Sequence, residues 1–97
     1  MMVLLTYDVS MADASGPRRL RRLAKVCLDH GVRVQFSVFE CDIGYEQWPS
    51  FKAKVLEIID SDVDSVRFYK LGKNWRKQVE HYGAKPSLDI FKDTLIL

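Results

Sequence analysis

From Val32 to Ile43 the chain is strand-like for longer than a usual strand, and the triplet Gln35-Phe36-Ser37 interrupts its apolar run. Two strands meeting at a tight turn satisfy this pattern, and the helical patterns on either side restrict how they can be used. Between Arg18 and His30, Leu20, Leu23, Ala24 and Cys27 mark one helical stripe; Pro17 is placed to enter the first turn, and Gly31 is expected as the C-cap. After Gly44, Trp48, Phe51, Val55, Ile58 and Ile59 recur at helical spacing with Lys52, Lys54 and Glu57 between them. Residues 2–9 are apolar and β-rich, and Val63 to Leu71 alternates around Val66, Phe68 and Tyr69 before closing at Gly72. The order is strand, helix, strand, strand, helix, strand. This predicts an α+β, ferredoxin-like βαββαβ domain with both helices on one face of an antiparallel sheet.

At 97 residues the chain makes one domain, with a core over residues 1–72 and an extension over 73–97. A domain of this size buries only about 60–65% of its unfolded surface, so an oligomer interface is expected. The extension holds a basic and aromatic run, Lys73-Asn74-Trp75-Arg76-Lys77, then a loop from Gly83 to Pro86, and the β-prone end Thr94-Leu95-Ile96-Leu97. Leu95, Ile96 and Leu97 are interface candidates, because an apolar end can add a strand to a sheet edge of its own subunit or of a partner.

Cys27 and Cys41 lie far apart without CxxC spacing, and with His30 and His81 they do not make clustered zinc-ligand spacing, so both read as reduced core residues. The start Met1-Met2-Val3-Leu4-Leu5 lacks the basic region and long apolar run of an export signal. No stretch approaches the roughly 20 apolar residues of a membrane span. The expected compartment is the cytoplasm, with no membrane partner. A net charge of +2 does not by itself imply nucleic acid; the placement of the charge matters more.

That placement is uneven. At about 100° per residue Arg18, Arg21, Arg22 and Lys25 share one face of the first helix, opposite the apolar stripe and without interleaved acids. With Arg19, Arg33, Lys73, Arg76 and Lys77 they make a set able to hold phosphates, and no recognition helix aimed at base edges is evident. Asp8 ends the first strand, where a carboxylate can hold a hard cation through oxygen, although an aspartate there is also a common turn residue. Asp13 and Asp42 are weaker candidates for a second carboxylate. His30 precedes a glycine at a helix end, a structural position, and His81 has no acidic or hydroxyl partner in sight.

The strand ending in Tyr7-Asp8, the arginine-bearing helix, and the run Arg33-Val34-Gln35-Phe36-Ser37-Val38-Phe39-Glu40 resemble the CRISPR-associated Cas-two family over essentially the whole chain. The stretch Val79-Glu80-His81-Tyr82-Gly83-Ala84-Lys85-Pro86 is similar to the form found in subtype I-C systems. The resemblance implies a ferredoxin-like symmetric homodimer, often with a C-terminal strand laid against the partner, that joins dimers of the Cas-one integrase and supports double-stranded DNA during spacer acquisition. It also implies magnesium-dependent endonuclease activity, with manganese an alternative, on single-stranded RNA or duplex DNA. Asp8 matches the family's metal-binding and catalytic aspartate. Arg33 and Ser37 match positions near the nucleic acid or the dimer axis, and Phe39 matches as an interface or core aromatic. A reading from another class is a ferredoxin-like regulatory module binding a small molecule at its dimer interface.

Overall fold

The structure, a computed structural model, describes residues 1–80 together with Tyr82 and Gly83. Strand β1 (Met2–Asp8) leads to helix α1 (Gly16–Leu28), strands β2 (Gly31–Gln35) and β3 (Val38–Asp42), helix α2 (Trp48–Ile58), strand β4 (Ser65–Leu71) and a short helix α3 (Trp75–Gln78). The sheet is antiparallel with order β2-β3-β1-β4, the ferredoxin-like arrangement expected from the element order. Leu95, Ile96 and Leu97, with the extra strand expected there, lie outside the described residues, as does His81.

Period-two alternation assigns the two faces of the sheet. Val3, Leu5 and Tyr7 of β1 and Phe39 and Cys41 of β3 face the helices, where they are buried with Leu23 and Cys27 of α1 and Phe51, Val55 and Ile58 of α2. Each fully buried large side chain contributes about 1.5–3 kcal/mol, so this layer carries most of the domain's stability. The two cysteines belong to it: the Cys41 thiol donates to the Cys27 carbonyl at 3.6 Å, and both are free thiols. The Cys41 side chain against it, together with burial, pushes the Cys27 thiol well above its ordinary range. Leu4, Thr6 and Asp8, and across the ladder Ser65, Arg67 and Tyr69, occupy the opposite, helix-free face.

Two local expectations are corrected. Gly31 is not a left-handed C-cap: α1 ends at Leu28, the His30 amide bonds back to the Cys27 carbonyl, and Gly31 already opens β2. Its role is close approach, since a Cβ there would stand 1.9 Å from the Glu40 carbonyl oxygen on β3. Strand β4 starts at Ser65 rather than Val63 because side chains build a turn ahead of it. The Asp60 amide donates to Asp64 Oδ2 at 2.9 Å and the Asp62 amide to Asp60 Oδ1 at 3.1 Å.

Candidate functional site

Asp8 is the last residue of β1 and is exposed, with Ser65 opposite it on β4. Its flanks are two clefts. One, about 250 Å³, is lined by Thr6, Tyr7, Asp8, Ser65, Arg67 and Tyr69. The other, about 460 Å³, includes Asp8, Leu20, Phe36 and Ser37. The β2–β3 turn is fixed beside it by Tyr7, whose amide donates to the Ser37 carbonyl at 3.1 Å and whose hydroxyl donates to the Phe36 carbonyl at 2.9 Å. Ser37 therefore lines the same cleft as Asp8. Phe36, 78% exposed, stands at the rim of the same cleft. Among the described residues Asp8 makes no ion pair.

Arg19 is corrected out of the nucleic-acid set. It is buried, and its Nε donates to Asp64 Oδ2 at 2.8 Å, its Nη2 to Asp64 Oδ1 at 3.2 Å and its Nη1 to Asp13 Oδ1 at 3.1 Å. It also donates to the Ser15 hydroxyl and, at 3.3 Å, to the Ser10 carbonyl. A guanidinium saturated in this way has no fork left for phosphate. Burial opposes ionisation of Asp64, but the Arg19 guanidinium and the amides of Asp60 and Ser10 outweigh it, so the carboxyl lies below its ordinary range. Asp13 is lowered by its hydrogen bonds from Arg19 and Ser15, and the Arg19 charge is reinforced by its hydrogen bonds to Asp64 and Asp13. This cluster ties α1, the Ser10–Ser15 loop and the start of β4 together just behind Asp8.

Phe39, which matched as an interface or core aromatic, lies in the core. It is fully buried within this chain, stacked on Tyr7 with ring centroids 5.8 Å apart. Arg33 pairs with Phe39 in register, so it lies on the helix side of the sheet while Asp8 lies on the other. Its guanidinium stands 5.0 Å from the Phe39 centroid and 6.0 Å from that of Phe36, an attraction between cation and ring face. The Arg33 Nε is buried without a hydrogen-bond partner among the described residues.

The remaining basic residues form two separate groups. Arg18, Arg21, Arg22 and Lys25 are exposed along α1, and none makes an ion pair among the described residues. Asp29 of the α1 end and Glu57 of α2 nevertheless share a cleft with Arg22 and Lys25, so acids do reach part of this face. Lys73 lines a cleft with Met1, Met2, Asp42 and Trp75, and the exposed Arg76 holds its guanidinium 5.1 Å from the Trp75 ring. Lys73 thus sits by the Met2 end of β1, six strand residues and about 20 Å from Asp8. Asp42 is at that end too, 3.3 Å from the Met1 amine, so neither it nor Asp13 supplies Asp8 with a second carboxylate.

Among the described residues no group of three or more His, Cys, Asp or Glu could hold a metal ion. The donor set at Asp8 is one carboxylate with the Thr6 and Ser65 hydroxyls beside it. Magnesium commonly takes one or two carboxylates and completes its octahedron with water and substrate phosphate. The residues present therefore fit a cation shared with an incoming phosphate or with a second carboxylate, and do not form a closed cage.

The family model described as CRISPR associated protein Cas2 matches residues 1–79, which include β1, both long helices, the Asp8 clefts and the Arg19–Asp64 cluster. The chain belongs to the Cas2 family. It is 55% identical over 89 residues to the CRISPR-associated endoribonuclease Cas2 of Nitratidesulfovibrio vulgaris, covering 92% of this chain and 87% of that one. With the CRISPR-associated endonuclease Cas2 of Halalkalibacterium halodurans it shares 49% identity over 96 residues, 99% of each chain. The crystal structure of Streptococcus pyogenes Cas2 at pH 6.5 superposes with a TM-score of 0.76 at 51% identity, covering 86% of this chain and all of that one.

Against this family frame, the residues that sequence reading missed are Asp64, Ser65, Arg67 and Tyr69. Nothing local distinguishes Asp64 from the neighbouring acids Asp60 and Asp62. Ser65, Arg67 and Tyr69 are set two apart and so share a face of β4, but only the antiparallel register with β1 shows that the face is that of Asp8.

Proposed function

We propose that this chain is a homodimeric CRISPR adaptation protein that binds double-stranded DNA, bridges dimers of the Cas-one integrase during spacer acquisition, and cuts phosphodiester bonds of RNA or duplex DNA at Asp8 in the presence of magnesium or manganese. The observation that carries the reading is the exposed Asp8 carboxylate, free of ion pairs among the described residues, between two clefts that also hold hydroxyls and a guanidinium. Relatives named endoribonuclease and endonuclease support phosphodiester chemistry. Bound at Asp8, a divalent cation supplies Lewis-acid polarisation of a phosphodiester and a water of lowered pKa. The chain's own part is to hold that cation through the Asp8 carboxylate and keep the site rigid. Tyr7 fixes the turn on one side, and Asp64 fixes the loop that follows β1 on the other. In a two-fold dimer a second Asp8 would add the further carboxylate, since whatever one protomer presents at the axis its partner repeats.

Several features support the assembly. The outer edge of β4 is unpaired among the described residues, a place where the Leu95-Ile96-Leu97 segment of a partner can add as a strand. The exposed arginines of α1 and the Lys73–Lys77 group give a sequence-tolerant phosphate surface. The Val79–Pro86 stretch supports the subtype I-C form. No helix among the described residues is long and apolar enough to cross a membrane, and a cytoplasmic site of action agrees with that.

The test uses the full chain and Asp8→Ala with labelled duplex DNA and single-stranded RNA, in magnesium or chelator, following binding and cleavage together. Asp8→Ala should bind DNA as the wild type does while magnesium-dependent cutting falls about 100-fold or more. Equal cutting by both proteins would remove Asp8 from the chemistry, and equal binding with no Asp8-dependent cutting would leave a scaffold. A regulatory module for a small molecule would show no salt-dependent DNA affinity at all.

A further inference from the structure

We infer that Arg67, held by the Tyr69 hydroxyl, is the phosphate-binding residue of the Asp8 cleft, making that cleft a site for one phosphodiester group. This rests on the nucleic-acid reading above and adds a residue to it. The register of β4 against β1 sets Ser65 opposite Asp8, Arg67 opposite Thr6 and Tyr69 opposite Leu4, all on the helix-free face. Arg67 and Asp8 are diagonal neighbours, which places their backbones about 7–8 Å apart.

The two opposite charges do not close into an ion pair. Arg67 Nη1 donates instead to the Tyr69 hydroxyl at 3.3 Å, and among the described residues Arg67 has no carboxylate partner. Between the two charges is the cleft of about 250 Å³ that Thr6, Tyr7 and Ser65 also line. A guanidinium carries five N–H donors in a planar fork, and the bond to Tyr69 occupies one of them. The others can take two oxygens of a phosphate in parallel. A carboxylate with affinity for a hard cation on one wall, a guanidinium on the other and hydroxyls between them are complementary to a phosphodiester that shares a divalent cation. A solvated surface arginine would explain the exposure of Arg67 but not its restraint by Tyr69 across from an unpaired acid.

Arg67→Gln and Arg67→Lys in the full chain test this by fluorescence anisotropy with labelled duplex DNA and single-stranded RNA over a salt series, alongside light scattering and thermal melting. Arg67→Gln should weaken binding about tenfold and lower the slope of log K against log salt by about 0.9. Arg67→Lys should regain the slope but only part of the affinity, because an ammonium cannot form two parallel bonds. Unchanged affinity and slope in Arg67→Gln, with a wild type that binds, would overturn this inference alone. A wild type that binds neither nucleic acid would overturn the function reading and this with it. Loss of a dimer, or of folding, in Arg67→Gln with the salt slope unaltered would assign Arg67 to a protein contact and overturn it too.

Discussion

Arg19 and Asp64, 45 residues apart in the chain, meet in a two-bond ion pair behind the candidate site, and the second Asp64 oxygen also receives the Ser10 amide at 2.8 Å. Asp64 immediately precedes Ser65, the β4 partner of Asp8, and Ser10 lies two residues beyond Asp8. One carboxylate therefore sets both chain segments that flank the catalytic candidate.

Asp64→Asn should lower the melting temperature by about 10 °C or more, because removing one partner of a buried pair leaves the other charge uncompensated. Asp13→Asn should cost much less, since the Asp13 side chain is 47% exposed and water can replace it, whereas that of Asp64 is fully buried. Thermal denaturation by circular dichroism compares the two. An Asp64→Asn melt equal to that of the wild type would show that the pair holds nothing in place.

Both carboxyls are depressed in the folded chain, Asp64 by Arg19 and amide bonds that outweigh its burial and Asp13 by Arg19 and Ser15. Their contribution to stability is complete above the ordinary carboxylate value of 3.8 and is lost as pH falls below it towards their folded values. Urea denaturation from pH 6 to about pH 2.5 should show this acid loss in the wild type and a flatter limb in Asp64→Asn. Identical limbs would place the acid sensitivity elsewhere.

The exposed arginines of α1 and the buried one should separate in a binding assay. Replacing Arg18, Arg21 and Arg22 together by Gln should reduce the salt slope of duplex binding by about 0.9 for each phosphate contact removed, with little change in melting temperature. Arg19→Gln should do the reverse, losing stability while the slope of the folded fraction is kept. An unchanged slope in the triple variant would move the DNA surface to the Lys73–Lys77 group.

Much of the fold was legible because burial on one side of each element imposes a period. The stripe Leu20, Leu23, Ala24 and Cys27 became the face of α1 packed on the core, and the interrupted Val32–Ile43 run became β2 and β3 around the Phe36–Ser37 turn. The position of Arg19 was legible in principle as well. At about 100° per residue it falls between Arg22 and Leu23, on the flank of the apolar stripe. What one-dimensional pattern lacks is a partner: nothing local says that an arginine at that angle will meet an acid 45 residues later. Phe39 illustrates the same limit, since an aromatic that reads as interface or core takes its place in the core only when Tyr7 and Arg33 pack against it.

By itself the sequence determined the element order, the apolar layer between sheet and helices, the acid at the end of the first strand and the basic face of α1, because each follows from residue type and local period. Tertiary structure alone decided which charges are consumed and which remain free. Antiparallel pairing of β4 with β1 brought Ser65, Arg67 and Tyr69 onto the Asp8 face, and docking of α1 onto the sheet drew Arg19 inward to Asp64. Ion pairing and cleft formation depend on distances between segments remote in the chain, and register and helix docking fix those distances.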